Sequence, residues 1–160
     1  MHLVAALLAL LAGTYILAVP KGTRWHRWVG RAYAGSMAVL LLTAFQIYFL
    51  FGRFGIVHLG ALGSLFALAV GIGAAVLRPV GRNWLRWHYL GMGASVTGLY
   101  AAFIIESTYR FFPLAYFWWL TLGLAALVFG MGGVLLRRHY PPRLAQAGRA
   151  RAAGLAGSAG

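Results

Sequence analysis

The sequence predicts an all-α protein, a bundle of five transmembrane helices with the N-terminus outside and the C-terminus in the cytoplasm. Three observations predict it. First, 62% of the 160 residues are hydrophobic and 9% are charged, with a mean hydropathy of +0.79. A soluble domain averages about 25% charged residues, so this chain lacks the charge to cover a water-facing surface. Second, five apolar runs, roughly 2–19, 32–51, 56–77, 88–105 and 114–136, reach or approach the length that crosses a bilayer, about 20 residues for about 30 Å of hydrocarbon. Third, the cations alternate along the chain. Lys21, Arg24, Arg27 and Arg31 fill the first gap; Arg78, Arg82 and Arg86 fill the third; Arg137, Arg138, Arg143, Arg149 and Arg151 lie in the tail. The intervening gaps hold Arg53, and Arg110 beside the single acid, Glu106. Alternation of this kind is the positive-inside pattern of a bacterial inner-membrane protein that crosses the bilayer several times.

Each run follows from local chemistry. The first is rich in Ala and Leu and has no basic region ahead of its apolar core, so it reads as a span rather than a cleaved signal. Gly52-Arg53-Phe54-Gly55 is a tight link, which makes the second and third runs an antiparallel hairpin. Small residues recur at helix-face spacing: Gly30, Ala34 and Ala38; Gly60, Ser64, Ala67 and Gly71; Gly91, Ser95, Gly98 and Ala102; Gly123, Ala126, Gly130 and Gly133. Such stripes let membrane helices approach closely, and close packing rather than a ligand groove is what they chiefly predict. Aromatic residues gather at the ends of the runs, Trp25, Trp28, Trp84, Trp87 and Tyr89 inside and Tyr109, Phe111, Phe112, Tyr116, Trp118 and Trp119 outside, as an interfacial belt. Residues 1–136 thus form the transmembrane domain. Residues 137–160, with Pro141-Pro142 and Ala/Gly/Arg repeats, read as a disordered basic cytoplasmic tail held near anionic lipid by its charge.

An internal echo marks the candidate site. Arg24-Trp25-His26 recurs as Arg86-Trp87-His88, each opening an inward-to-outward helix and each followed by a glycine, Gly30 or Gly91. The second and third helices and the fourth and fifth therefore read as two copies of one helical hairpin. The echo sets His26 and His88 at equal depth. Three chemistries use such a pair. A heme b takes two axial imidazoles, with Arg27, Arg31, Arg82 or Arg86 on its propionates and small residues against its flat ring. A quinone takes an imidazole donor at one carbonyl. A metal ion needs a third ligand, which His139 or Met92 supplies. The structural reading is that both histidines are interfacial, hydrogen-bonded to loop carbonyls beside the tryptophans. At the outer end, Gln46, His58 and Glu106 form a second candidate set, a polar pocket with Tyr100 near it, because polar side chains at membrane depth usually face the bundle interior. His58 is also a candidate cofactor ligand, with His2 as its partner for a second heme. The structural reading of Glu106 is an i,i+4 pair with Arg110.

The run His26-x-x-x-Gly30-Arg31-x-Tyr33, followed by His58-Leu59 and then His88 opening two later helices, resembles a family of bacterial multi-pass membrane proteins of unknown function. The resemblance covers roughly residues 20–110 and implies a compact helical bundle with no established activity. Tyr89-Leu90 stands where that family carries polar residues, and Met92 matches its methionine only approximately. In outline the layout is also similar to membrane-embedded diheme b-type cytochromes, whose ligands usually lie deeper.

Several classes are excluded or disfavoured. Without cysteine, disulfides, iron–sulfur clusters and thiolate metal sites are excluded. One acid cannot run a paired-carboxylate hydrolysis, and no nucleophile–base arrangement is visible. A net charge of +13 would point to nucleic acid in a soluble protein, but these cations flank membrane spans, where anionic inner-leaflet lipid accounts for them. The sequence therefore favours a cofactor-binding electron-transfer protein, heme b or quinone. Its alternative is a non-catalytic structural or assembly subunit, as a homo-oligomer or within a larger membrane complex. A small transporter comes third, since the interior holds no acid and no Pro-broken pair of helices.

Overall fold

In the computed structural model, residues 1–51, 55–78 and 83–140 are described. Five α-helices account for most of them: α1 (His2–Ala18), α2 (Arg24–Phe51), α3 (Ile56–Leu77), α4 (Trp84–Thr108) and α5 (Phe117–Arg138). Short 3-10 turns at Tyr109–Phe111 and Leu114–Tyr116 link α4 to α5, and no strand occurs among the described residues. The link at 52–54, Arg82 and the tail from 141 onward lie outside the described residues. Four helices, α2 to α5, are long and apolar enough to cross a membrane, while α1 is a shorter apolar helix of 17 residues. The outward faces carry large apolar side chains such as Leu11, Leu42, Phe66, Leu77 and Trp119. This is the surface of a multi-pass membrane protein.

Helices α2 and α4 start earlier than the apolar runs suggest. Arg24 to Arg31 reads as a charged gap, yet it is the first two turns of α2. The reason is local. Thr23 Oγ1 accepts the His26 amide at 3.1 Å, an N-cap that starts the helix ahead of the apolar run. At 28 residues, α2 is about 42 Å long, longer than about 30 Å of hydrocarbon. Its cationic end therefore reaches past the apolar layer, where exposed Trp25 and Trp28 suit the headgroup zone. The guanidinium of Arg31 lies 5.9 Å from the Trp28 ring centre, and that of Arg78 lies 5.2 Å from Trp84. Lys21 closes α1 in place of a glycine cap. Its Nζ donates to the carbonyls of Ile16, Leu17 and Val19 at 2.6, 2.8 and 3.1 Å, and partial burial holds its pKa below the ordinary lysine value.

The tightest seams join α3 to α4 and α1 to α2; α2 meets α3 less extensively and α5 packs on α4. The α3–α4 seam is an antiparallel crossing of two small-residue stripes. A Cβ added to Gly91 would lie 2.5 Å from the Gly71 nitrogen and 2.8 Å from the Ala67 oxygen, and one added to Gly98 would lie 2.6 Å from Ser64 Oγ. On α5 the stripe faces the wrong way: Gly123, Gly130 and Gly133 have nothing within 4 Å of an added Cβ. The packed residues are Gly132, against Thr97 of α4, and Leu136, against Gly93 of α4. The core gathers Ala9, Tyr33, Met37, Leu41, Leu68, Val96 and Leu99 from α1 to α4. At its centre Tyr33 and Ser95, both 0% exposed, share a hydrogen bond of 2.9 Å, and the ring edge of Tyr33 packs on Gly13. Thr14 and Tyr100 hydrogen-bond across α1 and α4.

Candidate functional site

The starts of α2 and α4 meet at one end of the bundle. The ring centres of His26 and His88 are 6.3 Å apart, with their planes at 82°. His88 is fixed by α3. Its Nδ1 lies 2.8 Å from the Gly71 carbonyl oxygen; a carbonyl can only accept, so Nδ1 is the donor. The Gly71–Gly91 crossing brings that carbonyl within reach, because any side chain on Gly91 would push the helices apart. His26 differs. Its ring is half-buried and its Nδ1 is a buried nitrogen with no hydrogen-bond partner. Buried polar atoms without partners are uncommon, and Thr121 Oγ1 on α5 is another among the described residues.

The cations gather at the same end. Lys21 adjoins the start of α2, Arg78 ends α3, and Arg86 lies in the first turn of α4. Tyr89 near the start of α4 donates to the Leu136 carbonyl at 2.9 Å and meets Tyr140 edge-on, which brings Arg137 and Arg138 to that end too. Among the arginines expected at the site, Arg27 is spent on the Gly22 carbonyl at 2.9 Å and Arg31 leans on Trp28. Arg86 is exposed, as is Arg24. Gly91 is sealed against α3 and offers no flat surface to a ring, whereas a Cβ on Gly30 would meet only Ile16 Cδ1, at 3.3 Å. His139, offered as a third metal ligand, is exposed and lies 3.0 Å from the Leu135 carbonyl through its Nδ1. No group of three or more metal-ligating His, Asp or Glu side chains occurs among the described residues.

At the opposite end the three polar residues differ in exposure. His58 is 5% exposed, next to Phe45, and its Nδ1 accepts the Gly55 amide at 3.1 Å. That bond makes His58 the cap that begins α3, a role which the helix-opening position signals, since the third helical residue can reach back to the capping amide. Gln46 and Glu106 are exposed. Glu106 lies 3.9 Å from Arg110, with both side chains well exposed. His2 bonds Thr43 Oγ1 at 2.8 Å. Sequence reasoning missed the Tyr33–Ser95 pair, although Tyr33 closes the H-x-x-x-G-R-x-Y run and Ser95 lies in the α4 stripe.

No protein-family model, curated protein or solved structure matches the chain. The resemblance carried by His26, Gly30, Arg31, His58 and His88 therefore rests on those residues alone.

Proposed function

We propose that this is a multi-pass inner-membrane electron carrier whose redox group, heme b or quinone, is held between His26 and His88. The observation that carries the reading is their 6.3 Å separation, with one ring nitrogen of His26 buried and unbonded. Two half-buried imidazoles from two helices meet edge-on, and the hydrogen bonds of the bundle occupy His88 Nδ1 but leave His26 Nδ1 without a partner. The orientation proposed is N-out and C-in, supported by the gathering of cations at one end, where anionic lipid would meet them. The test is the visible absorption spectrum of the purified full chain, with extraction of bound quinone. Sharp heme b bands on reduction, or co-purifying isoprenoid quinone, is expected, lost on His26→Ala or His88→Ala. A colourless, quinone-free protein overturns the reading.

A second reading has its own support. Helix α5 packs mainly on α4, and its Gly123, Gly130 and Gly133 face is bare. A subunit that docks partner helices in a larger complex presents such a face. Co-purification of a stable complex, lost on Gly130→Leu while any cofactor stays bound, would favour that reading.

A further inference from the structure

We propose that the outward face of α2 is an interface, and that it pairs in parallel with α2 of a second copy of this chain. The proposal stands apart from the redox reading above and needs only that α2 crosses the membrane.

Periodicity is the first argument. The core side of α2 carries Tyr33, Met37, Leu41 and Ala44. On its other side Trp28, Ala32, Gly35, Val39, Leu42 and Gln46 are exposed. Their spacing alternates four residues and three without a break. That is a heptad seam, the repeat of about 3.5 residues along which two helices supercoil. Ala32, Val39 and Gln46 take its a positions, and Trp28, Gly35 and Leu42 its d positions. Lipid tails impose no such register. A β-branched residue at a with Leu at d favours two parallel strands, and Val39 and Leu42 supply that combination.

Gln46 is the second. It is exposed and has no hydrogen-bond partner among the described residues. Helix α2 continues past it through Ile47-Tyr48-Phe49-Leu50-Phe51, so the carboxamide lies within the apolar part of the span. Polar side chains facing lipid are costly, and amides in membrane helices hydrogen-bond across to a neighbour. The charge pattern of this one selects the neighbour. A carboxamide presents positive N–H and negative oxygen side by side. Across a two-fold axis the N–H of each copy meets the oxygen of the other, so position 46 is complementary to itself. One polar residue at a single a position is also a device that fixes register and strand number in paired helices.

Shape is the third. A Cβ added to Gly35 would meet nothing within 4 Å, so two α2 backbones can approach at that level. Beside it runs an open apolar groove, lined by Val4 and Leu8 of α1 and by Gly35, Ser36 and Val39 of α2. Large side chains of the second copy fit there. Arg31, next to the seam, leans on the Trp28 ring at headgroup level, where anionic lipid offsets repulsion between copies.

The chain has no cysteine, so single cysteines report contacts cleanly. The experiment uses the full chain in phospholipid vesicles at falling protein-to-lipid ratio. On oxidation, Val39→Cys should give a disulfide-linked species of twice the chain mass. Phe66→Cys on α3 and Leu127→Cys on α5, both more exposed than Val39, should stay single. Energy transfer between labelled copies should show Gln46→Leu weakening the dimer by about tenfold, with Gln46→Asn retaining most of the affinity. The Leu variant adds no bulk to the core side, so the monomer fold persists. A chain that is monomeric at every dilution overturns the proposal. So does cross-linking as strong at Phe66 or Leu127 as at Val39, an adduct of Val39→Cys with a different protein, or a Gln46→Leu dimer as tight as the unaltered one.

Discussion

Arg24-Trp25-His26 and Arg86-Trp87-His88 are the same three residues at the same end of the bundle, yet their imidazoles live differently. His88 is bound to the Gly71 carbonyl, and His26 keeps a buried nitrogen unbonded. The glycine that follows separates them. Gly30 comes four residues after His26, and Gly91 comes three after His88. One residue is about 100° of helix, so the two glycines point to different neighbours relative to their histidines. Gly91 seals the α3–α4 crossing, while Gly30 faces only the tip of Ile16. An identical triplet thus sets where each imidazole sits along its helix. What that imidazole can bond depends on the helix next door.

The largest test of this contrast exchanges the two glycines in turn for alanine. Gly91→Ala drives its Cβ onto backbone atoms of Gly71 and Ala67, which cannot rotate away. Overpacking costs about 1–3 kcal/mol or more, and little folded, monodisperse protein is expected on gel filtration in detergent. Gly30→Ala presses only on Ile16 Cδ1 and should melt close to the unaltered chain. If the two variants melt alike, the contrast between the crossings is broken.

Next in size is the matching pair on α5. Gly132→Val would collide with the Thr97 side chain, and Gly130→Val meets nothing. The first should lower the melting temperature by an amount equivalent to about 1–3 kcal/mol, and the second should leave it unchanged. Equal losses would mean that α5 presents another face to α4.

A smaller effect sharpens the histidine comparison itself, measured on protein free of cofactor. His88→Leu removes the bond to the Gly71 carbonyl, which keeps its partner within α3, for about 1 kcal/mol of stability. His26→Leu removes an unpartnered buried nitrogen and is expected to be neutral or stabilising in a melt. A costly His26→Leu would reveal a bond to that ring and remove the reason for singling it out. Smallest of all, Glu106→Gln should change stability by under about 0.5 kcal/mol, because its partner Arg110 and the carboxylate are both well exposed.

What was legible in the sequence, and what was not, divides along physical lines. Long apolar runs placed the five helices, because nothing else in the chain can satisfy a backbone in lipid. The repeated triplet signalled that His26 and His88 come together, although His26 is the third residue of α2 and His88 the fifth of α4. The apolar run alone placed the start of α2 too late, because Arg24 to Arg31 is too charged for it, while a capped helix tolerates charge once it has left the hydrocarbon. The packed face of α5 was hidden for the opposite reason. Gly123, Ala126, Gly130, Gly132 and Gly133 ring the helix so fully that spacing alone selects no side. The outer set left two readings open in the sequence, because position 58 rewards a histidine for capping α3 as readily as for binding a ligand, and an exposed Glu106 has its pair four residues away.

The Tyr33–Ser95 hydrogen bond has a consequence in time. Its two hydroxyls are 62 residues apart in the chain, and a ribosome adding about 5–20 residues per second separates their synthesis by about 3–12 seconds. Through that interval the phenol of Tyr33 has no partner of its own, and a lone hydroxyl in hydrocarbon is costly. The second helix is therefore expected to settle fully only when the fourth arrives, and Tyr33→Phe should remove that dependence in a staged insertion assay.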